Sequence, residues 1–158
     1  MISCCFKAKA RFPIFSVHDL DIMRAGIRNY QRNNVTGFLL REDNSYLGVV
    51  EGSDQAIDRL ISHISLDDRV FGIHVLSRDD TASRDYPSWS MGYIDAQNLC
   101  RSSKAIREFL RRETSSLQHD QLPAILKHMC YLRQRQDLKD QRLRESPPPA
   151  QMDAMAVG

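Results

Sequence analysis

Four cysteines and five histidines are the side chains best suited to metal or nucleophilic chemistry, and their spacing supports neither. Cys4 and Cys5 are adjacent, which makes closure on one tetrahedral ion difficult, and Cys100 and Cys130 complete no CxxC pair. All four are expected to be reduced and mostly buried thiols. His63 and His74 lack a partner His, Cys or carboxylate at a recognised ligand spacing, and His18, His119 and His128 are no better placed. There is no glycine-rich phosphate loop, nucleophile elbow or Glu-rich metal-binding helix. The chain is therefore expected to be no enzyme, and its chemistry has to lie in side chains that bind.

Charge is the next candidate for binding. Residues 1–100 carry 11 Lys/Arg against 13 Asp/Glu, whereas residues 101–146 carry 11 against 6, so the net charge of +2 hides a basic C-terminal segment. Arg107, Arg111, Arg112, Arg133 and Arg135 would be its nucleic-acid contacts. They are mixed with acids and lack interleaved aromatic residues, so a solvated helix face accounts for them better than nucleic acid does.

The elements that would position a site follow from periodicity. Residues 2–8 read as a first strand, Phe12-Pro13 breaks it, and Ser16 offers an N-cap. The helix that follows has Leu20, Met23 and Ile27 as its expected inward stripe and Arg24, Arg28 and Arg32 outside, and it ends at Asn33-Asn34. Thr36–Glu42 and Tyr46–Gly52 form a hairpin around Asp43-Asn44-Ser45. Ser53 caps a second helix with Ile57, Leu60, Ile61 and Ile64 on one face, closed by Leu66-Asp67-Asp68-Arg69. Phe71–Ser77 alternates Phe71, Ile73 and Val75 against Gly72, His74 and Leu76; a polar loop with Arg84, Asp85 and Pro87 leads to a last strand, Trp89–Ile94.

The order β-α-β-β-α-β-β, with two one-sided helices, predicts an α+β sandwich of the ferredoxin-like, split β-α-β kind. Beyond residue 100 the pattern is helical: Ile106, Phe109 and Leu110, then Leu122, Ile125, Leu126, Met129 and Leu132, with Asp120 as cap and Pro123 at the opening turn. These two C-terminal helices should cover the open face of the sheet or, failing that, a subunit interface. The expected boundaries are a domain at 1–96, a helical extension at 97–144 and a Pro-rich loose tail at 145–158. No apolar run approaches the roughly 20 residues that span a bilayer. No secretory signal opens the chain, so a cytoplasmic protein without membrane contact is expected.

A first strand with Cys4-Cys5-Phe6, a helix ending in Asn, Val35-Thr36-Gly37, Val50-Glu51-Gly52, His63-Ile64-x-x-Asp67-x-Arg69 and Trp89-x-Met91 occur in that order and at these spacings. Over roughly residues 1–95 this pattern resembles the BLUF family, the sensors of blue light using FAD. The resemblance implies a FAD cleft between the first two helices. In the family, a strand tyrosine and a strand glutamine form the hydrogen-bond pair that light rearranges, and an asparagine holds the polar edge of the flavin.

Carried onto this chain, the tyrosine position is Phe6, the glutamine position Gly48 and the asparagine position Tyr30. Phe6 has no hydroxyl to donate, Gly48 has no side chain, and Tyr30 is a bulky ring where a small amide belongs. Ile22 and Ile64 match the aliphatic residues that sandwich the flavin ring, Asn29 a neighbouring polar contact, Arg69 a basic residue near the phosphates, and Trp89 and Met91 the last-strand pair. By spacing alone Ile22, Ile64, Trp89 and Met91 are ordinary core residues. The resemblance therefore implies the fold, with FAD binding weak or absent and no other cofactor. Tyr30 is expected to fill the hollow left at Gly48. The expected function is that of a small regulatory protein, a homo-oligomer acting on a protein partner. The alternatives are a FAD photoreceptor with unusual chemistry or a binder of another small molecule in a remodelled cleft.

Overall fold

The computed structural model describes residues 1–93, 101–111 and 121–145. Nine elements follow one another: β1 (Ile2–Ala10), α1 (Val17–Arg32), β2 (Thr36–Glu42), β3 (Ser45–Gly52), α2 (Asp54–Ser65), β4 (Val70–Asp80), β5 (Trp89–Tyr93), α3 (Arg101–Arg111) and α4 (Leu122–Glu145). The strands form one sheet in the order β4-β1-β3-β2-β5, antiparallel except for β2 beside β5. This is the expected α+β arrangement. The proposed cap Asp120 and the Pro-rich tail lie outside the described residues, as does Ile94.

Strand alternation sorts the core into two halves. Cys4, Phe6, Leu39, Tyr46 and Val50 face α1 and α2. Cys5, Phe38, Leu40, Leu47 and Val49 face α3 and α4, where Ile106, Leu122 and Leu126 are fully buried. The C-terminal helices thus cover the open face of the sheet, the first of the two placements expected for them. Three ion pairs among the described residues fasten them. Buried Glu42 accepts from Arg107 Nε at 2.6 Å and lies 3.4 Å from Arg111 Nη2, and Lys127 Nζ reaches Asp85 Oδ1 at 2.5 Å. Leu132, assigned to the apolar stripe of the long helix, is instead exposed, as are Tyr131 and Leu138. Among the described residues, the core side chains of α4 lie between Leu122 and Cys130.

α2 is as expected: Ser53 accepts the Ala56 N–H at its N-cap, Ile57 is fully buried, and Leu60, Ile61 and Ile64 are half-buried. α1 differs. Leu20 and Ile27 are each 44% exposed, and the inward positions are Asp19, Gly26 and Tyr30, with Ile22 and Met23 half-buried beside them. The stripe turned because Asp19 is paired inside: it accepts from Tyr46 Oη at 2.5 Å and the Phe15 N–H at 2.9 Å, with Arg41 Nε 3.7 Å away. A satisfied carboxylate can be buried where an unpaired one cannot. Ser16 holds the N-cap backbone geometry, but its hydroxyl makes no capping bond.

β4 also departs from simple alternation. Phe71 and Val75 are exposed at 47% and 41%, Ile73 faces α2, and Leu76 packs on the opposite side. Register shifts against β1 between Cys5/Phe6 and Lys7/Lys9 cause this, since each extra residue swaps the faces. Gly72 supplies a left-handed φ of 59° within the irregular stretch.

Candidate functional site

Over the middle of the sheet α1 and α2 stand apart and leave a cavity of about 340 Å³. Phe6, Ala8 and Leu39 rise from its floor, Ile22 and Tyr30 line the α1 wall, and Leu60 and Ile64 line the α2 wall. Asn29, Arg59 and His63 are exposed at the rim, so the cavity opens to solvent. Asp67 and Arg69, just after α2, close one end. Arg69 binds Asp67 in a two-pronged pair, Nε to Oδ1 at 2.8 Å and Nη2 to Oδ2 at 2.5 Å, and these hydrogen bonds hold the Asp67 carboxyl below its ordinary range.

Two close approaches shape the inner end. Phe6 and Gly48 are cross-strand partners in β1 and β3, and a Cβ on Gly48 would lie 2.6 Å from Phe6 Cζ and 2.7 Å from Cε1. The Phe6 ring therefore occupies the space into which any side chain at position 48 would start to grow. Tyr30 does not take that place, contrary to expectation. Its ring packs instead on Trp89, with centroids 4.2 Å apart and planes inclined by 56°. Gly26 admits this pair: a Cβ there would stand 2.3 Å from Trp89 Nε1 and 2.9 Å from Tyr30 Cε2. A glycine inside a helix costs about 1 kcal/mol relative to alanine, and here it gives access that no larger residue would allow.

Burial, with a smaller contribution from the negative charge of Asp67, raises the Tyr30 phenol well above its ordinary range, so it is a neutral donor at physiological pH. Its hydroxyl has no hydrogen-bond partner among the described residues. Trp89 Nε1 is likewise buried without a partner. Behind the cavity, Asp19, Tyr46 and Arg41 lock the start of α1 to the sheet, with the Arg41 guanidinium 4.5 Å from the Tyr46 ring centre and Arg41 Nη2 donating to the Phe12 carbonyl at 2.8 Å.

Of the residues singled out in the sequence, Phe6, Ile22, Asn29, Tyr30, Ile64, Arg69 and Trp89 meet at this one cavity. Gly48 lies behind the Phe6 ring, and Met91 is 5% exposed in the core beneath. Gly26 and Arg59 were not anticipated. The helix-interior glycine was the available signal for the first; nothing distinguished Arg59 from other surface arginines.

The family model for sensors of blue light using FAD matches residues 1–92, the whole sheet-and-cleft portion just described. The chain belongs to the BLUF family. Among solved structures it is similar to a bacterial light-regulated adenylyl cyclase, at 27% identity and a TM-score of 0.58, covering 70% of this chain and 32% of the cyclase. The BLUF protein BlrB in its dark state matches at 24% identity and a TM-score of 0.64, over 80% of this chain and 92% of BlrB. BlsA in its photo-activated state matches at 20% identity and the same TM-score of 0.64, with the same coverage of 80% and 92%. The last two likenesses speak to the fold alone, and this chain spans about a third of the cyclase's length. No curated protein sequence matches the chain.

The donor set of this BLUF cleft fits a flavin poorly at its inner end. A flavin presents carbonyl and imide groups along one ring edge, which call for amide or hydroxyl partners. Phe6 and Gly48 bring no hydrogen-bonding side chain, and Tyr30 brings one phenol on a ring already packed against Trp89. The apolar walls at Ile22 and Ile64 and the basic rim retain the character of a ligand cleft.

Proposed function

We propose that this BLUF protein is a flavin-free regulatory protein, an adaptor or antagonist that acts by binding a protein partner and works as a homo-oligomer in the cytoplasm. The packing of Phe6 onto Gly48 carries this reading. Light sensing in the family needs a hydroxyl on the first strand and an amide opposite it, and here an apolar ring and a bare backbone fit against each other instead. Each missing polar contact costs a ligand about 1–3 kcal/mol, so the losses along one flavin edge lower affinity by several powers of ten. Regulation by contact draws support from what surrounds the cleft. α4 is fixed to the sheet through Leu122, Leu126 and Cys130, while Tyr131 and Leu138 further along it are exposed. Among the described residues no group of three His, Cys, Asp or Glu side chains could hold a metal, and no helix is long and apolar enough to cross a membrane.

Thermal unfolding in a large excess of FAD tests the flavin-free reading, because a ligand that binds only the folded state raises Tm by mass action. The expected outcome is an unchanged Tm for the natural chain and a raised one for the triple variant Phe6→Tyr, Tyr30→Asn, Gly48→Gln. A raised Tm for the natural chain would overturn the proposal.

A further inference from the structure

We propose that the cavity between α1 and α2 binds a compact planar aromatic anion smaller than a flavin, a two-ring compound bearing one carboxylate. The inference rests on the flavin-free reading of the cleft and gives that cleft a different ligand. Three observations lead to it. First, the cavity is open: at about 340 Å³ it lies at the small end of the range for ligand pockets, roughly 300–1,000 Å³. Phe6 covers Gly48 without filling the space between the helices.

Second, the walls select for a flat ring. Aliphatic Ile22 and Ile64 stand on opposite helices, and the aromatic residues Phe6, Tyr30 and Trp89 line the cavity, the last two with their rings in contact. Aromatic ligands gain from offset or edge-to-face contact with such surfaces beyond the area they bury.

Third, the unused polar groups are donors. Tyr30 is only 9% exposed, lines the cavity, and leaves its hydroxyl without a partner among the described residues. Arg59 on the α2 rim has no ion-pair partner among the described residues, and His63 stands one helical turn further on. The one carboxylate at the cavity, Asp67, is already neutralised by its two-pronged pair with Arg69. The remaining balance at the mouth is positive, so an anionic group lying at the rim while its ring enters the cavity satisfies both ends.

The chain has a single tryptophan, Trp89, and it lies in the cleft, so its indole N–H resonance reports occupancy directly. The probes are 2-naphthoate, its neutral analogue 2-naphthalenemethanol, and FAD, titrated into the full chain. Calorimetry supplies affinities in parallel. The expected result is a saturable shift of the Trp89 signal with 2-naphthoate, with the neutral analogue about tenfold weaker or more. Arg59→Ala, on the exposed rim, should bring 2-naphthoate down to the level of the neutral analogue and leave that analogue unchanged. Tyr30→Phe should weaken 2-naphthoate severalfold, its folding checked by the dispersion of the same spectrum. Absence of a saturable shift, equal affinity for both naphthalenes, or an Arg59→Ala variant that binds 2-naphthoate as well as the natural chain does would each overturn the proposal. If FAD fails to bind along with 2-naphthoate, only this inference falls. Stoichiometric FAD binding would overturn the flavin-free reading beneath it as well.

Discussion

On one face of the sheet α3 and α4 close over Phe38, Leu40, Leu47 and Val49; on the other α1 and α2 stand apart over a cavity of about 340 Å³. The packed face is made of Leu, Ile, Val and Phe in mutual contact, with a buried carboxylate, Glu42, answered by Arg107. The hollow face is floored by Phe6 over Gly48 and walled by buried and half-buried residues of two helices on either side of the cavity. Close packing stabilises and leaves little freedom to change, whereas a cleft lined by partly exposed groups can change its chemistry at small cost to the fold. In the flavin-free reading proposed above, this is how a chain keeps the BLUF architecture with Phe6, Tyr30 and Gly48 at the positions of the light switch.

Truncations on the two faces should break the comparison first if it is wrong. Phe38→Ala, fully buried on the packed face, should cost about 3–5 kcal/mol and Leu126→Ala about 2–5 kcal/mol. Leu60→Ala on the cleft wall should cost about 1 kcal/mol, because its side chain is already half in solvent. Urea denaturation of the three variants ranks them, and a Leu60 variant as costly as the Leu126 one would mean that the cleft face carries the fold equally.

A smaller effect sharpens the picture of the cleft floor. Gly48→Ala places a Cβ against the Phe6 ring and should destabilise by about 1–3 kcal/mol. In a Phe6→Ala background the same change should be nearly neutral. A double-mutant cycle measures this coupling, and additive costs would show that the two positions do not pack on each other.

Smallest is the difference between two adjacent thiols. Cys5 faces the packed side, and burial pushes its thiol up to about 12. Cys4 faces the cleft side, where burial also raises the thiol but the positive charge of Arg78 opposes it. Because Cys5 has a folded-state pKa above its unfolded value of roughly 8.5, its contribution to stability is complete below that pH. That contribution is lost as pH climbs toward about 12. Iodoacetamide labelling followed by mass spectrometry between pH 8 and 10 should therefore modify Cys4 ahead of Cys5. The reverse order would contradict the assignment of faces.

Most of the architecture was legible because α2 and the hairpin follow plain periodicities of 3.6 and 2. α1 was misread at its stripe, since its inward residues Asp19, Gly26 and Tyr30 are a carboxylate, a glycine and a phenol, none of which an apolar count selects. β4 was misread past its bulges, where one inserted residue exchanges the faces. Motif order picked out seven residues that line one cavity, but not how they pack there. That Phe6 rather than Tyr30 covers Gly48 depends on the β1–β3 register, and that Tyr30 packs on Trp89 depends on a glycine one helical turn before it.

The central claim is that the BLUF fold persists here without its flavin switch. The most direct measurement is the visible absorption spectrum of the purified full chain, with and without added FAD, in the dark and under blue light. The account predicts no retained flavin and, in the presence of FAD, a spectrum of free cofactor that blue light does not displace to longer wavelength. A yellow protein carrying one FAD per chain, with a reversible red shift on illumination, would contradict it.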